Sequence, residues 1–211
     1  MAQPIFRAIL EGDHSMVVSL LEKKPALLGA RLSGSPAKHQ GVSPLQLAIC
    51  VRQYAIAEWL IPSGADVNYV DPTLRSGWAV PVLHDAVISS VFSSIKERSR
   101  LPVEQARRTS DAAFEVLSLL LENGASVDAL DSKGNTTLHR AAAAVSEFFP
   151  GASTPASGSS AIPENTAADY QRIFSILYEY GADPAQVDPN LGYAVAEFYQ
   201  NYPVARFLVS K

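Results

Sequence analysis

Two histidines stand in the same local frame, Leu83-His84-Asp85-Ala86 and Leu138-His139-Arg140-Ala141. Histidine is the side chain best suited to moving protons near neutral pH, so in isolation both look catalytic. Cys50, the single cysteine, could be a nucleophile, but no spacing ties a histidine or an acid to it. A small buried or half-buried thiol is the expectation. Four histidines and one cysteine show no metal-ligand spacing, and no glycine-rich loop is of the phosphate-cradling kind. No cofactor, metal or catalytic group is therefore expected. Glu97, Glu104, Glu147 and Asp169 would make a polar set only if the segments carrying them converged. Lys96, Arg98, Arg100, Arg107 and Arg108 form a basic stretch, offset by Glu97 and Glu104. No aromatic platform is interleaved with it and the chain carries a net charge of −4, which argues against nucleic acid. A solvated end of a helical hairpin is the expectation, with an acidic protein segment as the alternative ligand.

The elements that must position these residues are helices. Ile5, Ala8 and Ile9, then Val17, Val18, Leu20 and Leu21, give two short apolar faces joined by a turn at Gly12-Asp13-His14. Leu45, Ala48 and Ile49, then Ile56, Trp59, Leu60 and Ile61, repeat that arrangement. Val87, Ile88, Val91, Phe92 and Ile95 keep a helical period past the usual length. Val103, Ala106, Ala113, Phe114, Leu117 and Leu121 run back. Pro102 and Glu104 suit a helix start there, and an elongated hairpin over roughly 84–98 and 102–122 is expected. A later helix through Tyr170, Ile173, Phe174 and Leu177 would be capped by Asn165-Thr166. Between them, residues 150–163 are small, polar and breaker-rich, the composition of a mobile loop. Residues 189–211 read as a closing helix pair with Ala194, Val195, Phe198, Val204, Phe207 and Leu208 inside. The aromatic residues of the last third exceed what one core can take, and some should line the base of the 150–163 segment.

The histidine frame recurs as Ser43-Pro44-Leu45-Gln46-Leu47-Ala48 and as Thr136-Thr137-Leu138-His139-Arg140-Ala141. A second signature follows each copy: Gly64-Ala65-Asp66-Val67-Asn68, Gly124-Ala125-Ser126-Val127-Asp128 and Gly181-Ala182-Asp183-Pro184. Two linked motifs in a fixed order resemble the ankyrin repeat, whose T-P-L-H-x-A recurs every ~33 residues. The resemblance covers nearly the whole chain. It implies an all-α solenoid of stacked helix-turn-helix units with β-hairpin or loop fingers, as one array over residues 1–211. Repeats fall at about 4–32, 42–70, 80–130 and 135–188, with a cap at 189–211. Gly64 follows Leu45 by 19 positions, but Gly124 follows Leu83 by 41 and Gly181 follows Leu138 by 43. Insertions therefore sit between the helices of the third and fourth repeats, at about 93–112 and 147–168. The finger around residues 71–78 is five residues longer than the next one.

The resemblance also implies function. Histidines in this frame hydrogen-bond backbone and turn hydroxyls between repeats, so His84 and His139 are expected to be structural. Partners dock on the finger tips and the exposed face of the inner helices. By position these are Tyr69, Arg75 and Trp78 on the long finger and Ser132, Lys133 and Asn135 on the next. On the helices they are Ile88, Ser89, Ala143 and Ala144. A non-enzymatic protein-interaction module, binding another protein as a monomer, is the leading expectation. An enzyme or small-molecule binder with a pocket built by the two insertions is the alternative. No apolar run approaches the ~20 residues of a membrane span, and the first eleven residues lack a signal-peptide apolar block. One cysteine cannot form an internal disulfide, which fits a reducing cytoplasm or nucleus.

Overall fold

A computed structural model describes residues 3–33, 39–70, 79–95, 100–150, 161–187 and 192–209. Helices run in antiparallel pairs: α1 (Pro4–Glu11) with α2 (His14–Lys23), α3 (Pro44–Cys50) with α4 (Tyr54–Leu60), α5 (Val82–Ser93) with α6 (Val103–Glu122), and α7 (Thr137–Phe148) with α8 (Glu164–Glu179). A short pair closes the stack, α9 (Val195–Phe198) and a 3-10 turn at Pro203–Phe207. The inner helices α1, α3, α5 and α7 pack in succession, as do the outer helices α2, α4, α6 and α8. One continuous core results, from Ile5 and Phe6 through Leu45, Leu83 and Leu138 to Phe207. The chain is thus an all-α solenoid. Among the described residues the β content is one isolated bridge, Val187 to Ala194.

The periodic apolar positions explain the stack. Val17 and Leu21 of α2, Ile56 and Leu60 of α4, and Leu117 and Leu121 of α6 are all buried at three-to-four-residue spacing. The outer helices end in glycines, Gly64 and Gly124, at φ 92° and 86°, a conformation in which a Cβ is strained. Two of the connections are held by backbone bonds within them. Leu32 accepts from Gly41 N at 2.8 Å and donates to Val42 O at 3.0 Å, and Asp131 N donates to Asn135 O at 3.1 Å. Neighbouring fingers are tied together, since Ser132 N donates to Ala79 O and Ala79 N donates to Ser132 Oγ, both at 3.0 Å.

Several expectations change. Trp59 is only half-buried, meeting the edge of His14 at 6.0 Å between ring centroids, because its position lies at the rim of the outer layer. The closing pair is shorter than expected. Val195, Val204, Phe207 and Leu208 are buried, but Ala194 is half-buried and Phe198 is 44 % exposed. Asn165 and Thr166 do not cap α8, whose N-cap is Pro163. Most of the 150–163 segment lies outside the described residues, although Ile162 within it is buried.

The insertions lengthen the helices and pack on one another. Helix α6 runs 20 residues, about 30 Å at 1.5 Å per residue. Its early turns meet α8: Ser110 Oγ donates to Asp169 Oδ2 at 3.1 Å and Arg172 Nη1 to Asp111 Oδ1 at 3.1 Å. The Arg172 guanidinium also lies 4.2 Å from the Phe114 ring centroid. Thr166 Oγ1 donates to Ser94 O at 3.1 Å, and that carbonyl ends α5. Leaving a buried carbonyl without its donor costs about 1–3 kcal/mol. Thr166→Val should therefore lower stability by that order in a denaturant melt. An unchanged midpoint would show that the fourth-repeat insertion is not held to the third.

Candidate protein-interaction face

The start of each inner helix is the polar centre of its repeat. Ser43 Oγ accepts from Gln46 N at 3.1 Å and Thr136 Oγ1 accepts from His139 N at 3.2 Å, satisfying first-turn donors. Helix α5 begins instead at Pro81, which has no side-chain oxygen to offer. That difference decides the two histidines. His139 Nδ1 pairs with Thr136 Oγ1 at 2.8 Å. His84 lacks that hydroxyl, and its Nδ1 has no hydrogen-bond partner among the described residues. Its Nε2 lies 2.9 Å from Ala129 O, so the proton sits on Nε2. Burial pulls the His84 pKa down to about 4, outweighing the carbonyl and the charge of Asp131. The ring is neutral at pH 7 and fully inside, with no access to a substrate.

Gln46 occupies the histidine position one repeat earlier. Its Nε2 donates to Val80 O at 2.8 Å and to Asp85 Oδ2 at 2.7 Å. Asp85 is half-buried, and loss of water raises its pKa to about 6 against hydrogen bonds from Gln46 and Cys50. Cys50 is thus exposed at the end of α3 and bonded to an acid, not the buried thiol the sequence suggested. The helix ends one residue after buried Ile49 and turns the thiol outward.

Asp131 anchors the finger before α7. Burial opposes its charge. Hydrogen bonds from Arg140, Asn135 N, the Asn135 amide and Lys133 N nonetheless hold its pKa below the usual carboxylate range. Asn135 therefore serves the finger's own geometry. Ser132 is exposed but ties its finger to the preceding one. Lys133 is exposed. Tyr69 is half-buried, donates to Gly41 O and lies 5.7 Å below the Arg31 guanidinium. Ile88 and Ala143 are partly buried. Ser89 and Ala144 do not face solvent: both are buried, and Ser89 Oγ lies 2.8 Å from Tyr54 OH. Inner helices press on both neighbours, so one step along the helix moves a side chain from rim to core. Arg75 and Trp78, like Lys96, Glu97 and Arg98, lie outside the described residues.

The described carboxylates of the expected insertion-built polar set, Glu104, Glu147 and Asp169, stand apart in their contacts. Glu104 pairs with Arg108 at 3.2 Å, Asp169 accepts from Ser110, and Glu147 is exposed on α7. No metal-capable cluster occurs among the described residues. No described helix is long and apolar enough to cross a membrane. Phe148 and Phe149 do line the base of the second insertion, against Phe92 at 5.0 Å and Tyr170 at 6.3 Å.

Sequence reasoning missed the Asp131–Arg140 clasp. The signal was present: Arg140 is the one Lys or Arg on the helix, nine positions after an acid. It also missed that Tyr193, Phe198 and Tyr202 cluster at the far end of the stack, Tyr193 and Phe198 stacked at 4.8 Å. Their burial depended on a cap whose length could not be read.

Residues 40–72 match the family model described as ankyrin repeat, and residues 105–144 match one described as ankyrin repeats in many copies. A protein of Saccharomyces cerevisiae named probable 26S proteasome regulatory subunit p28 is 28 % identical over 152 residues. The match covers 66 % of this chain and 63 % of that protein, so the chain spans less than two thirds of the relative's length.

Two outcomes test the histidine assignments. His139→Ala removes a buried bond to Thr136 and should cost about 1–3 kcal/mol of stability while binding persists in the folded fraction. A mutant of wild-type stability that no longer binds would contradict the structural role. For His84 the folded pKa lies below the unfolded value, so the unfolded chain binds more protons between the two. Its contribution is complete above pH 6.5 and is lost as pH falls towards about 4, by up to about 3 kcal/mol. Wild-type stability should drop more steeply than that of His84→Gln over this window. Parallel curves would mean that the ring takes up its proton in the fold as readily as in the unfolded chain.

Proposed function

We propose that this ankyrin-repeat protein is a non-enzymatic protein-interaction module, acting as one array over residues 1–211 and as a monomer in the cytoplasm or nucleus. One observation carries the reading. The groups that could do chemistry, His84, His139, Asp131 and Asp85, are bonded within and between repeats. Of the insertion carboxylates, Glu104 and Asp169 likewise pair locally, with different partners, which favours this reading over an enzyme with an insertion-built site.

The partner is taken to meet the finger tips and the adjoining inner-helix rim. Lys133 is exposed on its finger, and Ile88 and Ala143 lie at the helical rim. Tyr69, Ser132 and Asn135 support the finger conformation, with Ser132 exposed and Tyr69 and Asn135 half-buried. Ser89 and Ala144 set the packing beneath the rim. Arg75 and Trp78 enter on sequence grounds, as residue types favoured at interface hot spots. The relative's name makes the 26S proteasome the first assembly to probe for a partner.

The test is calorimetric titration of a captured partner against variants of confirmed stability. Trp78→Ala and Ala143→Arg should each weaken binding by at least ~2 kcal/mol, the usual hot-spot threshold. Arg75→Ala should cost less, with an effect that shrinks as salt is added. Unaltered affinity in both Trp78→Ala and Ala143→Arg would move the interface off this face.

A further inference from the structure

The turn between α3 and α4 shares two backbone bonds with the turn between α1 and α2. Gly12 N donates to Ile9 O and Asp13 N to Ala8 O; Arg52 N donates to Ile49 O and Gln53 N to Ala48 O. Gly12 sits at φ 72°, where glycine is at ease. Arg52 occupies the equivalent place at φ 61°, as the one non-glycine residue with positive φ among those described. A side chain held there carries backbone strain, which local packing does not demand at a turn glycine would satisfy.

The Arg52 side chain lines a cavity of about 200 Å³ at the base of the first insertion. Phe92, Ile95, Ala106 and Phe148 form its apolar wall, and Leu101, 42 % exposed, stands at the edge. The hydroxyls that line it are engaged. Thr109 Oγ1 donates to Gln105 O at 2.8 Å, and Ser93 Oγ lies 3.0 Å from Tyr54 OH. Among the described residues, no carboxylate lines the cavity. The Arg52 guanidinium forms no hydrogen bond or ion pair with any described residue. The insertion beside it adds exposed Arg100, Arg107 and Arg108. The last two are held only by exposed one-turn pairs, which contribute little.

We propose that this cavity is a second docking site, separate from the finger face, for an acidic segment of a partner protein: one large apolar side chain fills the cavity and a neighbouring carboxylate pairs with Arg52. The volume decides the class of ligand. Small-molecule sites run to ~300–1,000 Å³, whereas this cavity suits a single side chain. The charge decides its sign. A guanidinium with no partner among the described residues, beside a described wall without acids, favours a carboxylate, which it can bind through two parallel hydrogen bonds. The site rests on the module reading only in that its ligand is a protein segment.

The probe is a fluorescein-labelled nonapeptide with one central phenylalanine flanked by glutamates, titrated into the full chain by anisotropy. Two control peptides carry glutamine for glutamate or serine for phenylalanine. Saturable binding of the acidic peptide is expected, weaker by at least ~10-fold for either control, the loss of one charge-assisted bond or of the anchor. Arg52→Gln should weaken the acidic peptide by a similar factor and leave the glutamine peptide unchanged. Thr109→Trp, which fills the cavity, should abolish binding with the melting temperature kept. Ala143→Arg, on the finger face, should have no effect, so failure here leaves the module reading standing. No saturable binding at millimolar protein, equal affinity in wild type and Arg52→Gln, or equal affinity for the serine control would each overturn the site.

Discussion

The second and third repeats each reach forward to the backbone of the next through polar side chains. Gln46 donates to Val80 O, His84 Nε2 to Ala129 O, and Asn68 both donates to Gly124 O and accepts from Ser126 N. A single helix pair cannot bury its apolar face, so stability comes from the interface between pairs. Apolar packing alone is non-directional. The forward bonds make one register between pairs better than its neighbours, because a slip would leave buried carbonyls and side-chain donors without partners. The rim positions of the inner helices, and with them any docking face, inherit their alignment from that register.

The insertions obey the same constraint. Twenty or more extra residues between the two helices of a repeat could have been excluded from the stack. Instead α6 and α8 extend and meet along a seam of Ser110, Asp169, Asp111 and Arg172, with Thr166 reaching back to α5. Ser90 Oγ donates to Ala113 O at 3.0 Å inside the third repeat's own hairpin. The seam is polar but closed, so the described parts of the two insertions are neighbours without an open cleft between them. The space they leave lies to one side, where Phe92 and Phe148 meet edge to face.

Much of this was legible in the sequence because it is repeated. Gly64, Gly124 and Gly181 mark left-handed helix ends that strain a side chain, and Leu45, Leu83 and Leu138 mark buried starts. The long hairpin was readable because Val87, Val91 and Ile95 keep a helical period on one side of it, as Ala106, Ala113 and Leu117 do on the other. What was not legible depends on angles finer than a period. Ile88 and Ser89 differ by one step, yet one lies at the rim and the other beneath it. Thr166 looked like a cap but lies one turn into α8, where its hydroxyl is aimed across at α5. Arg52 carried no motif at all; its signal was the alignment with Gly12, visible only once the two turns were seen to share their bonds.

The forward bonds are tested most directly by native-state hydrogen exchange on Asn68→Ala, measured by mass spectrometry across the whole chain. Asn68 itself is exposed, so its removal creates no cavity. If these bonds set the register of the stack, protection should fall by ~1 kcal/mol or more in Tyr54–Leu60 and in Val103–Glu122 alike, the helices on either side of the junction. A change confined to the Ser126 amide and its immediate neighbours, with both helices exchanging as in the wild type, would contradict it.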